Sequence, residues 1–178
     1  MVSAHPPPPP SDPDPSSPRP AGGRFNILLT EDRVRPIEHW TRQFPRLMQP
    51  LGVEAHLATT GQQALELTER IAFHAAFIDL ATPKDDASAP ATAPGGLWLL
   101  KVLQRKAQRP PVVVVNSRAT RQQAVRLLND ALRLGAFSVV NQPVELNHLL
   151  AVAQRLLARH HRGQWPAPGS SNNSTPST

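Results

Sequence analysis

Val112-Val113-Val114-Val115, entered through Pro110-Pro111, is the stretch that decides the architecture. A strand with one wet face alternates apolar and polar residues. Four β-branched residues in a row instead describe a strand buried on both faces, the habit of parallel sheets. Parallel neighbours need crossover helices, and helical periodicity lies on either side of this run. Upstream, Ile27–Thr30, Val53–Ala58 (opened by Gly52) and Ala75–Leu80 read as three further strands, and downstream Val139-Val140 reads as the last. The first helix is expected from about Arg35 to Gln49, with Pro45 kinking or splitting it. The second, Gln62–Arg70, is capped by Thr60-Gly61 and turns Ala64, Leu65 and Thr68 inward. The third starts at Gly95-Gly96 and buries Leu97, Leu100 and Leu103.

Helix four, Thr120–Leu134, carries a stripe of Ala124, Leu127, Leu128, Ala131 and Leu134, and Gly135 closes it as a C-cap. Pro143 starts the fifth, with Leu146, Leu149, Leu150, Ala153, Leu156 and Leu157 on one face. Five β-α units in succession predict one α/β domain: a five-stranded parallel sheet with helices on both faces.

Composition sets the borders. The 178 residues include 21 prolines, of which Pro6 to Pro10 form an unbroken run. A segment without amide donors or apolar side chains builds neither helix nor core, so residues 1–23 are expected to be a disordered, Pro-rich tail. Residues 163–178, rich in Ser, Asn and Pro, are expected to be a second such tail, leaving 24–162 as the folded domain. No cysteine is present, which excludes disulfides and thiolate metal sites. No secretory signal or membrane-length apolar stretch is seen, so the expectation is a cytoplasmic protein without a membrane partner. The net charge of +6 comes mostly from arginines scattered along the helices, without aromatics interleaved, and nucleic acid is not an expected partner. The cluster Arg155, Arg159, His160, His161 and Arg162 is the best candidate for an acidic partner.

Chemistry concentrates at two strand ends. Phe25-Asn26-Ile27-Leu28-Leu29-Thr30 runs into Glu31-Asp32, and Ala75-Ala76-Phe77-Ile78 runs into Asp79. Parallel strands collect their carboxyl ends on one edge of the sheet, where ligands bind. Three carboxylates meeting there repel unless a divalent cation lies among them, and all-oxygen donors of this kind suit Mg²⁺.

In order and spacing, these residues resemble the receiver domain of two-component response regulators, over roughly Phe25 to Ala158. The acidic pair Glu31-Asp32 follows the first strand, and Ala58 to Leu65 looks like the family's A-x-x-G-x-x-A-L segment. Asp79 to Pro83 matches its D-x-x-x-P, Gly96-Leu97 stands where it has D-G-L, and Pro111, Gly135-Ala136 and Pro143 complete the series. The resemblance implies a flavodoxin-like, receiver-type fold. It implies that Asp79 takes a phosphoryl group from a histidine kinase or phosphotransfer protein. Mg²⁺ would be held by Asp32, Asp79 and the carbonyl of Ala81, with Glu31 acting through water.

The chain departs from that pattern at the positions expected to contact the phosphoryl group. The hydroxyl position after the fourth strand holds Asn116, with Ser117 one residue on, and the register between them is open. The lysine before the last proline is Gln142, which hydrogen-bonds without bringing charge. Lys84, in the adjacent loop, is read as a solvated lysine rather than a stand-in for that ammonium. Val139 occupies the place of a switch aromatic, and Phe137 is expected to pack in the core. The 17 residues from Asp79 to Gly96 enlarge the loop beside the site. The expectation is a stand-alone, non-enzymatic receiver that signals by contact with a downstream protein. The alternatives are a pseudo-receiver adaptor that works without phosphorylation and a small phosphohydrolase with an aspartyl nucleophile. The second would need a general acid two residues past Asp79, where Ala81 stands.

Overall fold

A computed structural model describes residues 25–31, 40–87, 95–116, 121–141 and 143–161. The tails and the segments 32–39, 88–94 and 117–120, with Gln142, lie outside the described residues, and so do the expectations placed on them. Five strands, β1 (Phe25–Thr30), β2 (Val53–Ala58), β3 (Ala75–Asp79), β4 (Val112–Asn116) and β5 (Ser138–Asn141), make one parallel sheet in the order β2-β1-β3-β4-β5. Every pairing is parallel. The helices are α1 (Trp40–Met48), α2 (Gly61–Arg70), α3 (Gly95–Gln104), α4 (Arg121–Arg133) and α5 (Leu146–His160).

Strand alternation sorts the core into two clusters, one on each face. Ile27, Leu29, Phe77, Val113, Val115 and Val140 pack with α1 and α5 residues such as Phe44, Met48, Leu149 and Leu156. Leu28, Ala76, Ile78, Val112 and Val114 pack with Ala64, Leu99, Leu100, Leu103 and Ala131 from the helices of the other face. All four valines of the 112–115 run are completely buried, as a strand covered on both sides requires.

Several boundaries differ from those expected. Pro45 lies inside α1 without splitting it, and a single 3₁₀ turn, Gln49–Leu51, leads to Gly52 at φ 78°. β3 stops at Asp79, with Leu80 already in a turn. In α3 the fully buried leucines are 99, 100 and 103, whereas Leu97 is only partly covered. α5 begins at Leu146 behind Glu145, three residues after Pro143.

Helix α4 ends as predicted. Gly135 adopts φ 88°, its N–H bonds the Leu132 carbonyl at 2.9 Å, and the Ala136 N–H reaches back to Ala131 at 2.9 Å. This pair of bonds is a Schellman closure, which satisfies carbonyls the helix would otherwise orphan.

Candidate functional site

The strand order reverses between β1 and β3: β2 lies on one side of β1, and β3 to β5 lie on the other. At such a switch point the crossovers leave in opposite directions and open a crevice beyond the carboxyl ends of the strands. Glu31 follows the last residue of β1, and Asp79 is the last residue of β3. The register Leu29↔Phe77 places them level across the crevice. By strand alternation both follow Leu29 and Phe77 onto the α1/α5 face.

Asp79 is 3% exposed, held in a dense local network. Its N–H donates to the Thr30 hydroxyl at 2.9 Å instead of continuing the backbone ladder to β1. The Ala81 N–H donates to Oδ1 at 2.9 Å, fixing the carboxylate's rotation, and the Thr82 N–H bonds the Asp79 carbonyl at 3.1 Å. Beneath this turn, the hydroxyls of Thr30 and Thr82 lie 2.7 Å apart. The carboxylate of Glu31 accepts from the Thr41 hydroxyl of α1 at 3.1 Å.

The loop after Asp79 is clamped from two sides. The first amides of α2 are orphan donors until Gly61 N bonds the Pro83 carbonyl at 2.8 Å and Gln62 N bonds that of Lys84 at 2.9 Å. Thr60 caps the same helix through its hydroxyl, which accepts from Gln63 N at 3.1 Å. From the other side α3 presents Gly95 and Gly96. A Cβ on Gly96 would lie 2.3 Å from the Asp79 carbonyl oxygen, and one on Gly95 would lie 2.3 Å from Lys84 N. Only glycine lets the helix start approach this closely.

The Lys84 ammonium sits 5.4 Å from the centroid of the Trp98 ring, a cation–π distance, so this half-buried lysine is not the simply solvated one that the sequence suggested. Asn116 ends β4, buried, and donates through Nδ2 to Oδ1 of Asn141 in β5 at 3.1 Å. The pairing Asp79↔Val115 puts Asn116 one step beyond Asp79, and alternation with Val114 turns it toward the α2/α3 face. Phe137 is half buried and packs against the core, as expected, with His160 edge-on at 5.8 Å.

The structure thus brings Glu31, Asp79 and Ala81 to one edge, with Asn116 close behind. Asp32, Ser117 and Gln142 lie outside the described residues. Hard oxygen donors without nitrogen or sulfur suit Mg²⁺. The described residues alone supply no group of three metal-binding side chains, so Asp32 would have to complete the set. Sequence reading missed Thr30, Thr41 and Thr82. Their only signal was a hydroxyl at the end of an apolar strand, in the first turn of a helix, or within a loop.

No family model matches the chain. It is 31% identical over 134 residues to Regulatory protein AtoC of Escherichia coli (strain K12), a match covering 75% of this chain and 25% of that protein. The chain therefore spans about a quarter of the length of this curated relative. Among solved structures, it resembles a CheY-like response regulator receiver domain protein from Methanospirillum hungatei JF-1 with a TM-score of 0.58. Identity there is 23%, over 77% of this chain and 96% of that one. The receiver domain of NtrX from Brucella abortus gives a TM-score of 0.57 at 24% identity, over 74% and 97% of the two chains.

Proposed function

We propose that this chain, a receiver domain of the two-component response-regulator type, accepts a phosphoryl group on Asp79 from a histidine kinase or phosphotransfer protein and signals by contact with a downstream protein. The observation that carries the reading is Asp79 itself, buried at the end of β3, level with Glu31 across the switch-point crevice. In the transfer, a carboxylate oxygen of Asp79 attacks the phosphorus of a phosphohistidine. The P–N bond breaks as the P–O bond forms, giving an acyl phosphate, and the leaving imidazole takes up a proton.

Asp32, Asp79 and the Ala81 carbonyl would hold Mg²⁺, with Glu31 acting through water; bound there, the ion offsets the charge on the phosphoryl oxygens. The chain's own residues do the positioning. Ala81 N–H holds one carboxylate oxygen of Asp79, Thr30 holds its backbone, and Thr41 holds Glu31. Asn116 would contribute a neutral donor by giving up its bond to Asn141, with Ser117 and Gln142 as the other phosphoryl contacts. Without an ammonium at 142, the site lacks one charge-assisted bond, which is about twice as strong as a neutral one. Slow or partial phosphorylation follows.

Incubation with a small phosphodonor and Mg²⁺ tests this reading. A hydroxylamine-labile phosphoprotein should form slowly on the wild type and not on Asp79→Ala. The pseudo-receiver reading is favoured only by Gln142, and under it a Mg²⁺ titration followed by amide NMR would leave the resonances around Glu31 and Asp79 unmoved.

A further inference from the structure

At the amino edge of the sheet, opposite Asp79, a cleft of about 740 Å³ opens between the starts of β4 and β5. Three arginines line it, each from a different element: Arg109 from the α3–β4 connection, Arg133 from the last turn of α4, and Arg159 from the last turn of α5. His160 joins them, and Pro111 and Phe137 are among the apolar residues of the lining. No Asp or Glu stands among the described lining residues. Arg109 makes one long bond, 3.5 Å to the Gln104 carbonyl, and among the described residues Arg133 and Arg159 have no carboxylate partner.

Arginines in the last turn of a helix ordinarily complement its dipole, which accounts for one charge on α4 and one on α5. Arg109, from the loop that follows α3, complements that helix in the same way through its bond to the carbonyl of Gln104, the last residue of α3. Each of the three helix ends supplies only about half a negative charge, so about one and a half positive charges remain uncompensated. The planar, multiply donating fork of arginine matches phosphate oxygens, and several forks converging from different directions suit a chain of phosphates better than a single ion. The volume is that of a small-molecule site and exceeds what one phosphate needs.

We propose that this cleft binds a small molecule bearing a polyphosphate chain, held between Arg109, Arg133 and Arg159. Because it lies at the opposite sheet edge, the site stands whether or not Asp79 is phosphorylated. His160 provides an internal reporter. Burial, His161 and Arg159 together hold its pKa below the usual histidine value, and a bound polyanion would push it back up.

The test is an amide NMR titration of the full chain with inorganic triphosphate at moderate salt. Saturable shifts are expected at Gly135, Ala136 and Phe137, with a rise in the His160 pKa and at least tenfold weaker binding of inorganic phosphate. The paired substitutions Arg133→Ala and Arg159→Ala, both at exposed positions, should weaken binding at least tenfold. Removing two exposed arginines of α1 by Arg42→Ala and Arg46→Ala should leave it unchanged. The proposal is overturned if shifts fail to saturate, if phosphate binds as well as triphosphate, or if the α1 pair weakens binding equally.

Discussion

Thr30 and Thr82, both fully buried and 52 residues apart in the chain, face each other hydroxyl to hydroxyl at 2.7 Å directly beneath the backbone of Asp79. Because the Thr30 oxygen also accepts the Asp79 N–H, the pair ties the end of β1 to the turn that carries the Asp79 carboxylate. Thr30→Val should cost about 1–3 kcal/mol, since it strands a buried N–H, and Thr82→Val about 0.5–1.5 kcal/mol. Denaturation of both single variants and the double variant checks the coupling. The double variant should lose less than the sum of the two. Strict additivity would show that the hydroxyls do not act as a unit.

Gly96 predicts a steric effect of another kind. A methyl group there must displace the Asp79 carbonyl or move the start of α3. Gly96→Ala should destabilise by about 1–3 kcal/mol despite its higher helix propensity, and should slow phosphorylation in the molecules that still fold. A urea midpoint unchanged from the wild type would contradict the close approach.

The charge deficit is open to repair. Gln142→Lys should raise the rate of phosphorylation by a small phosphodonor by about fivefold to tenfold, the equivalent of roughly 1 kcal/mol of added stabilisation. A rate no higher than the wild type's would show that position 142 does not face the phosphoryl group.

The opposite edge predicts a pH dependence. His74 packs between Phe25, at 4.5 Å, and His161, at 5.1 Å, and its Nδ1 accepts the Asn26 N–H. Burial and, after it, the charge of His161 lower its pKa from 6.5. The unfolded chain therefore binds the proton more readily. The stabilisation is complete above pH 6.5 and is lost as the pH falls through the folded-state value. Thermal midpoints should drop between about pH 7 and pH 5, and His74→Phe should flatten that slope, with His160, whose pKa is also lowered by burial, providing the remainder.

The fold could be read from the sequence because its strongest signals are local. The valine run pointed to a doubly buried strand and Gly135 to a C-cap, and both are found, with all four valines at 0% exposure and Gly135 at φ 88°. Helix phase was less certain where nearly every residue is apolar. Leu97, Trp98, Leu99, Leu100 and Leu103 offer more than one inward stripe, and packing against β3 and β4 selects Leu99 over Leu97. Asp79 and Glu31 were identifiable as strand-end carboxylates. The supports beneath them were not, because a threonine hydroxyl acquires its role from a partner 52 residues away, a distance no spacing rule covers.

The central claim is that Asp79 is the residue that takes the phosphoryl group. Peptide mapping by tandem mass spectrometry, after exposure to a phosphodonor with Mg²⁺, tests it most directly. The account predicts one modified residue, Asp79, and no modification when Mg²⁺ is chelated. Modification at another residue, or a wild-type chain left unmodified under forcing conditions, would contradict it.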